Sequence, residues 1–450
     1  MVLGTSFQRR LVEEFGAERV IVDPAAQRRY LEDRSFALYS ALVAEAFANP
    51  QADAIFRPAS TGELKRAVEI AVEHRRPITV RGAGTGNYGQ SLPLSGGMII
   101  DIRALNRVIA VNDATITVEA GAVLADAERA AREKGREMRL LPSTYHVATA
   151  SGFVAGGSGG IGSASWGRLW NGNVLAVDML TATVPSHPVR LEGDAVNLAL
   201  HTYGVVGVIT RVTFPLAPAR DWVEAAVEFG SFEAATRFAW ELCADAEITL
   251  RLCSLQQAPI PSWFEPVKAM FPPDASAVLL MHESGSTGRV RRLAESAGGA
   301  YVPWPTKPSI SQFPFSHTIL WIKRRHPDYS WLQYRFDPGA FFEQLRAMEE
   351  RFGSLILHHV EFMRVNGTVC PDGISALASS DPKEVDQVIR FLESIGVEVL
   401  NPHSYVVEEG GMVEEIERVL ELKARTDPFG LLNPGKIGRR FYDERLAQLG

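Results

Sequence analysis

Residues 77–89 read Pro77-Ile78-Thr79-Val80-Arg81-Gly82-Ala83-Gly84-Thr85-Gly86-Asn87-Tyr88-Gly89, and residues 142–163 read PSTYHVATASGFVAGGSGGIGS. The first stretch leaves a strand-like apolar run and enters a loop with glycine at alternate positions. Such a loop frees main-chain N–H groups to converge on an anion, with Thr85 and Asn87 adding side-chain donors; a diphosphate suits it. A dinucleotide site of the GxGxxG kind needs a helix directly after the glycines. Here Pro93, Gly96 and Gly97 follow, so that reading fails. The second stretch carries so much glycine that a stable helix is not expected across 142–173. It suits main chain that a flat, polar, aromatic ligand can approach closely.

Outward from these loops the periodicity is mixed. Ser60 followed by Glu63 starts a helix whose Leu64, Val68, Ala71 and Val72 share one face. Strand-like runs recur at 98–102, 114–120, 173–183 and 204–216, and a helix over 123–134 stops at Gly135. Beyond residue 221 the texture becomes α+β. Helices are expected over 341–352 and 383–395, the latter capped by Asp381-Pro382. The tail reads as an amphipathic helix followed by a compact Asn-Pro-Gly-Lys turn. A length of 450 residues exceeds one ordinary core.

Composition narrows the function classes. With 46 Lys+Arg against 53 Asp+Glu, the net charge of −7 offers no global attraction to nucleic acid. Three cysteines, Cys243, Cys253 and Cys370, form neither a disulfide framework nor a CxxC metal clip, so no metal is expected. No apolar run reaches the ~18 residues of a membrane span, and the first residues lack a signal-peptide h-region. A cytoplasmic protein with a small-molecule substrate is expected.

Four stretches carry a resemblance: IFRPASTGELKRAVEIAVEHRRPITVRGAGTG (55–86), ATASGFVAGGSGGIGS (148–163), TYGVVGVITRVTFPL (202–216) and TDPFGLLNPGKI (426–437). Their order is similar to the FAD-linked oxidase family of the vanillyl-alcohol oxidase and p-cresol methylhydroxylase type, which includes glycolate and D-lactate dehydrogenase relatives. The resemblance implies an α+β chain. A two-subdomain FAD-binding domain would span 1–220 (core 48–219), a substrate cap with an antiparallel sheet 221–405, and a returning C-terminal segment 406–450. It implies that Arg81, Gly82, Ala83, Gly84, Thr85, Gly86 and Asn87 bind the FAD diphosphate. Pro142, Ser143, Thr149, Ser151, Gly152, Gly156, Gly157, Gly160, Ile161 and Ser163 would touch the flavin, and Gly207 and Ile209 would flank adenine. Asn433 and Lys436 would close the site. Thr85, Asn87 and Thr144-Tyr145-His146 stand where relatives carry linking histidine or cysteine, so the FAD is expected to be non-covalent. Asn401-Pro402-His403-Ser404-Tyr405 does not match the histidine turn of metal-assisted hydroxy-acid relatives.

The cap should then present a base and a cation. In HTILWIK, alternation reads as a strand with His317, Ile319, Trp321 and Lys323 on one face. His317 and His403 are the base candidates, because imidazole suits proton transfer near neutrality. Lys323 is the candidate cation and Tyr334 a further candidate. His358 and His359 are adjacent, so at most one faces a pocket. Trp166 and Trp170 would wall the flavin. The expected activity is hydride transfer from an alcohol, hydroxy acid or similar CH–OH donor to flavin, with oxygen or another acceptor reoxidising it. The rivals are an NADPH-dependent reductase of the UDP-N-acetylenolpyruvylglucosamine type and a non-catalytic flavin binder.

Overall fold

The computed structural model describes residues 5–438; the part of the expected C-terminal return at 439–450 lies outside the described residues. Three sheets organise the chain. The first runs in the order Val20–Ile21, Ala54–Phe56, Met98–Asp101, Ile78–Arg81, and its last three strands are parallel. Helix Thr61–Glu73 makes the crossover from Ala54–Phe56 to Ile78–Arg81. Ser60 caps it by accepting from Glu63 N at 3.1 Å, and Leu64, Val68, Ala71 and Val72 are buried beneath it. All four residues of Met98–Asp101 are buried, which is why that strand is continuously apolar up to Asp101.

The second sheet is antiparallel, in the order Val108–Val111, Thr115–Glu119, Val208–Pro218, Ala176–Leu180, Pro188–Glu192, with Arg136–Met138 also on Val208–Pro218. The third has nine strands, all drawn from residues 222–400 and paired antiparallel. The fold is thus mixed helix and sheet with antiparallel sheets. Along Ser276–Glu283, Val278 and Leu280 pack among the helices Phe232–Ala244 and Thr287–Ser296. Ala277, Leu279 and Met281 join the core shared with the N-terminal half. Both faces of this sheet are therefore buried. Helices Phe341–Phe352 and Pro382–Ser394 cover the same outer face, through Leu345, Met348, Val388 and Leu392.

After helix Ile416–Thr426 the tail runs beside the strand that feeds the first glycine loop. Ile78 N donates to Leu431 O at 2.8 Å and Asn433 N to Ile78 O at 2.7 Å. This covers an otherwise open sheet edge.

Two expectations from sequence are corrected. HTILWIK lies in an α-helix, Ser316–Arg325, and not in a strand. Thr318, Ile319 and Ile322 are its buried set, at helical spacing, and Lys323, Arg324 and Arg325 fall in the last turn, where cations suit the helix dipole. The 142–173 region also contains short helices, Ala150–Gly156 and Ser163–Trp166. Thr149 caps the first by accepting from Gly152 N at 3.3 Å, while Phe153 and Val154 bury beneath it and offset the glycine entropy.

Candidate functional site

The two glycine loops close on one cavity, and neighbouring side chains approach their glycines closely at two points. A Cβ on Gly82 would lie 2.2 Å from Thr149 Oγ1, the residue that caps Ala150–Gly156. Between the loops sits Gln90, whose Nε2 donates to Gly156 O at 3.1 Å. Its Oε1 would lie 2.3 Å from a Cβ on Gly86 and 2.6 Å from one on Gly156. A main-chain bridge between Leu141 and Ile161, at 2.9 and 2.7 Å, ties the entrance of the second stretch to its exit.

Of the residues singled out from sequence, Gly82, Ala83, Gly84, Thr85, Gly86, Asn87, Pro142, Ser143, Thr149, Ser151, Gly152, Gly156, Gly157, Gly207 and Ile209 line this cavity. His317 lines it too, together with Phe315, Ser316 and Leu320 of the same segment. Asn87 Nδ2 donates to Ser316 Oγ at 2.8 Å, joining the first loop to helix Ser316–Arg325.

The remaining candidates lie elsewhere. The Arg81 guanidinium turns under its own loop, where it pairs with Asp33 at 3.0 Å and donates to Ser91 Oγ at 2.9 Å and to Glu32 O. Gly160, Ile161 and Ser163 form the bridge and turn behind the second loop, Gly160 N donating to Ser163 Oγ at 2.9 Å. Asn433 Nδ2 donates to Gln90 O and Tyr203 O at 2.9 and 2.8 Å, and buried Lys436 donates to Gly89 O at 2.7 Å. Both brace the first loop from behind. Tyr334 faces the outer helices, its hydroxyl 2.6 Å from Ser375 Oγ, because strand alternation gives its neighbour Gln333 the cavity side. Lys323 donates to Tyr329 O at 3.0 Å. His403 lies off the cavity, with its pKa lowered to about 4 by burial and by the nearby Lys323 charge. His358 stacks on Phe232 and His359 pairs with Glu361, so neither reaches the cavity. Trp166 is exposed under Arg139, and Trp170 packs against the core.

Sequence reading missed a polar wall made of Tyr88, Gln90, His201, Tyr203 and Gln333, all lining the cavity. His201 and Tyr203 adopt positive φ, 56° and 54°, in the turn before the Val208–Pro218 strand. The only signal in the sequence was a polar His-Thr-Tyr-Gly beside an otherwise apolar run. His201 Nδ1 is 2.9 Å from Gly157 O; a carbonyl only accepts, so Nδ1 carries the proton. Nε2 is then left to accept from Tyr203 Oη, 3.3 Å away. Tyr88 Oη donates to Gln333 Oε1 at 3.0 Å.

Burial lowers His201 to about 4 and His358 to about 3, and lowers His317 as well. A histidine whose folded pKa is depressed binds its proton more readily in the unfolded chain. The stability it contributes is complete above the unfolded value of about 6.5 and falls as pH drops towards the folded value. Unfolding near pH 5.5 is therefore expected to take up about two protons or more, read from the slope of unfolding free energy against pH. A flat profile between pH 7 and 5 contradicts the buried, neutral assignment.

Several observations bear on what the cavity can hold. The amides of Ala83, Gly84, Thr85, Gly86 and Asn87, like those of Ser158 and Gly159, have no protein acceptor among the described residues. Two sets of unpaired N–H donors lining one cavity fit a phosphate-bearing ligand. Residues 52–183 match the family described as FAD binding domain. The chain is 27% identical over 252 residues to glycolate oxidase subunit GlcD of Bacillus subtilis (strain 168), covering 53% of each chain, so the match spans about half of that relative. It is 24% identical over 407 residues to glycolate oxidase subunit GlcD of Escherichia coli (strain K12), covering 82% of this chain and 80% of that one. The solved structure of alkyldihydroxyacetonephosphate synthase shares the fold, with a TM-score of 0.71 at 16% identity over 96% of this chain and 84% of that one. With the FAD binding domain matched across both glycine loops, residues 52–183 carry an FAD binding domain, the chain takes FAD as its cofactor, and it is similar to FAD-linked oxidases.

Proposed function

We propose that the paired glycine loops cradle FAD and that the protein is an FAD-dependent oxidoreductase acting on a small CH–OH donor, an alcohol or hydroxy acid. In this reading the flavin-binding part comprises residues 1–220 with the return at 406–450, and 221–405 form the substrate cap. The observation that carries it is a single cavity lined by both loops and by His317 of helix Ser316–Arg325. The flavin would supply the acceptor for the two electrons and hydrogen leaving a substrate C–H bond.

The chain's own residues supply the rest. The amides of 83–87 and 158–159 bind and orient the cofactor. His317 is half-buried, and desolvation lowers its pKa, so its ring is neutral at pH 7 and ready to accept the hydroxyl proton. Phe315, Leu320 and Ile374 exclude water from the same wall. His201, with Nδ1–H committed to Gly157 O, holds the second loop in place.

Anaerobic mixing of the FAD-loaded protein with alcohols, 2-hydroxy acids, amines and NADPH tests the reading. The glycolate oxidase names of the relatives put 2-hydroxy acids first in the panel. Bleaching of the visible flavin band by a CH–OH donor is expected, and peroxide release on readmitting air then separates an oxygen acceptor from an electron carrier. Bleaching by NADPH alone points to a reductase, and no bleaching at all to a non-catalytic flavin binder. His317→Ala is expected to slow reduction about 100-fold with FAD content unchanged, in line with the worth of one positioned base.

A further inference from the structure

Behind the wall that carries His317 lies a buried polar cluster. Glu361, on strand His359–Val365, is 2% exposed, and three groups converge on its Oε1: Phe315 N at 2.7 Å, Ser254 Oγ at 2.9 Å and His359 Nε2 at 2.6 Å. Gln256 Nε2 links Ser254 Oγ, at 3.0 Å, to Thr318 Oγ1, at 3.2 Å. The cluster thus holds the segment 315–318 at two points, and Phe315, Ser316 and His317 line the cavity. Helix Ser316–Arg325 has no side-chain cap of its own; its N-cap residue, Phe315, sits at a φ of 56°. That left-handed conformation is unfavourable for a bulky side chain and persists only where the surroundings enforce it.

The tautomer follows from geometry. His359 Nδ1 is 3.0 Å from Ile374 O and must donate to it. A neutral ring then presents a bare lone pair at Nε2, which cannot face a bare carboxylate oxygen at 2.6 Å. One proton therefore lies in that contact, shared between ring and carboxyl group, and the oxygen keeps its capacity to accept from Phe315 N–H.

We propose that Glu361 is the positioning residue of this site: its proton-sharing contact with His359 fixes the amide of Phe315 and so sets Ser316 and His317 against the first glycine loop. The consequence for His317 rests on the function proposed above; the anchoring of 315–318 does not. Glutamine cannot replace this carboxyl group. With its oxygen towards the three partners it leaves His359 Nε2 either a lone pair facing an oxygen or a buried, uncompensated imidazolium. With its NH2 there it faces the Phe315 N–H donor to donor.

The test is hydrogen exchange by mass spectrometry on the FAD-loaded wild type, Glu361→Gln and Glu361→Ala, with anaerobic reduction per bound flavin measured in parallel. Both variants are expected to speed exchange of amides 315–318 about tenfold, reporting local opening. Strand Met98–Asp101 should stay as protected as in the wild type. Reduction should slow about tenfold at unchanged FAD content, the signature of a misplaced group. Unchanged exchange at 315–318 in Glu361→Gln overturns the proposal. So does loss of protection throughout the chain, which marks a merely structural role. If Glu361→Ala does not fold, the isosteric Glu361→Gln decides alone. Should no donor reduce the wild type, the proposed function fails while the exchange result still decides the anchor.

Discussion

Gly160→Ala is expected to weaken FAD binding about 100-fold, close to 3 kcal/mol. The cause is a backbone-to-backbone approach that no rotamer can relieve. A Cβ at residue 160 would lie 2.0 Å from Leu141 O, 2.8 Å from Leu141 C and 2.9 Å from Pro142 Cα. Relief requires the Leu141–Ile161 bridge to open, and that bridge sets where Pro142, Ser143 and Thr144 meet the cavity. Overpacking of this kind costs about 1–3 kcal/mol, the upper end applying where only main chain can move. Gly230→Ala is the control, since nothing lies within 4 Å of the added carbon and its φ is unremarkable for any residue. Titration of the apoproteins with FAD, followed by flavin fluorescence, compares the two. Equal affinities would contradict this role for the second loop.

Arg81→Met is expected to cost about 3–5 kcal/mol of folding stability, a larger loss than the strain at Gly160 brings. Asp33 has a fully buried side chain, and Arg81 Nη1 lies 3.0 Å from its Oδ1. Tyr39 Oη donates to the other oxygen at 2.6 Å, and Ser91 Oγ lies 3.3 Å from Oδ1. Those neutral donors do not compensate a buried carboxylate once the cation is gone. The same guanidinium packs beneath Gly84, where a Cβ would be 2.1 Å from Nη2, so the first loop loses its floor along with its charge balance. Arg81→Met combined with Asp33→Asn removes both charges and is expected to recover at least half of the loss, measured by urea unfolding. A single-variant loss below about 1 kcal/mol would mean the pair is solvated, contrary to its burial.

These two results draw on features of unequal visibility in the sequence. A need for main-chain approach is written in residue type: glycine at 82, 84, 86, 156 and 157 announces itself wherever it falls. The partner of a buried charge is not so written. Asp33 stands 48 residues before Arg81 in an unremarkable polar stretch, and only the folded chain brings them together. The loop arginine therefore read as a diphosphate ligand, while its guanidinium pairs with Asp33. The same holds for Lys436 and Asn433, whose position in the tail motif was legible and whose targets, Gly89 O, Gln90 O and Tyr203 O, were not.

HTILWIK illustrates a different limit. A short apolar–polar alternation satisfies a strand and a helix alike, and the arbiter, burial of Thr318, Ile319 and Ile322, is a tertiary fact. His317 still reached the cavity, but with Leu320 beside it and not with Lys323. Tyr334 shows that alternation separates two faces of a strand without saying which face meets the cofactor when both are buried. His201 stands one residue before the 202–216 stretch and was not singled out, and the positive φ that aims its ring at Gly157 leaves no mark on residue choice.

On the proposed reading, unpaired amides of two glycine-rich turns converge on one extended, phosphate-bearing cofactor. Titrating the apoprotein with FAD while following proton-exchange protection of residues 83–87 and 158–159 tests this most directly. One equivalent of FAD, released intact on denaturation, with both segments protected together at that equivalence point, is the expected result. Saturable FAD binding that protects neither segment, or only one of them, would contradict it.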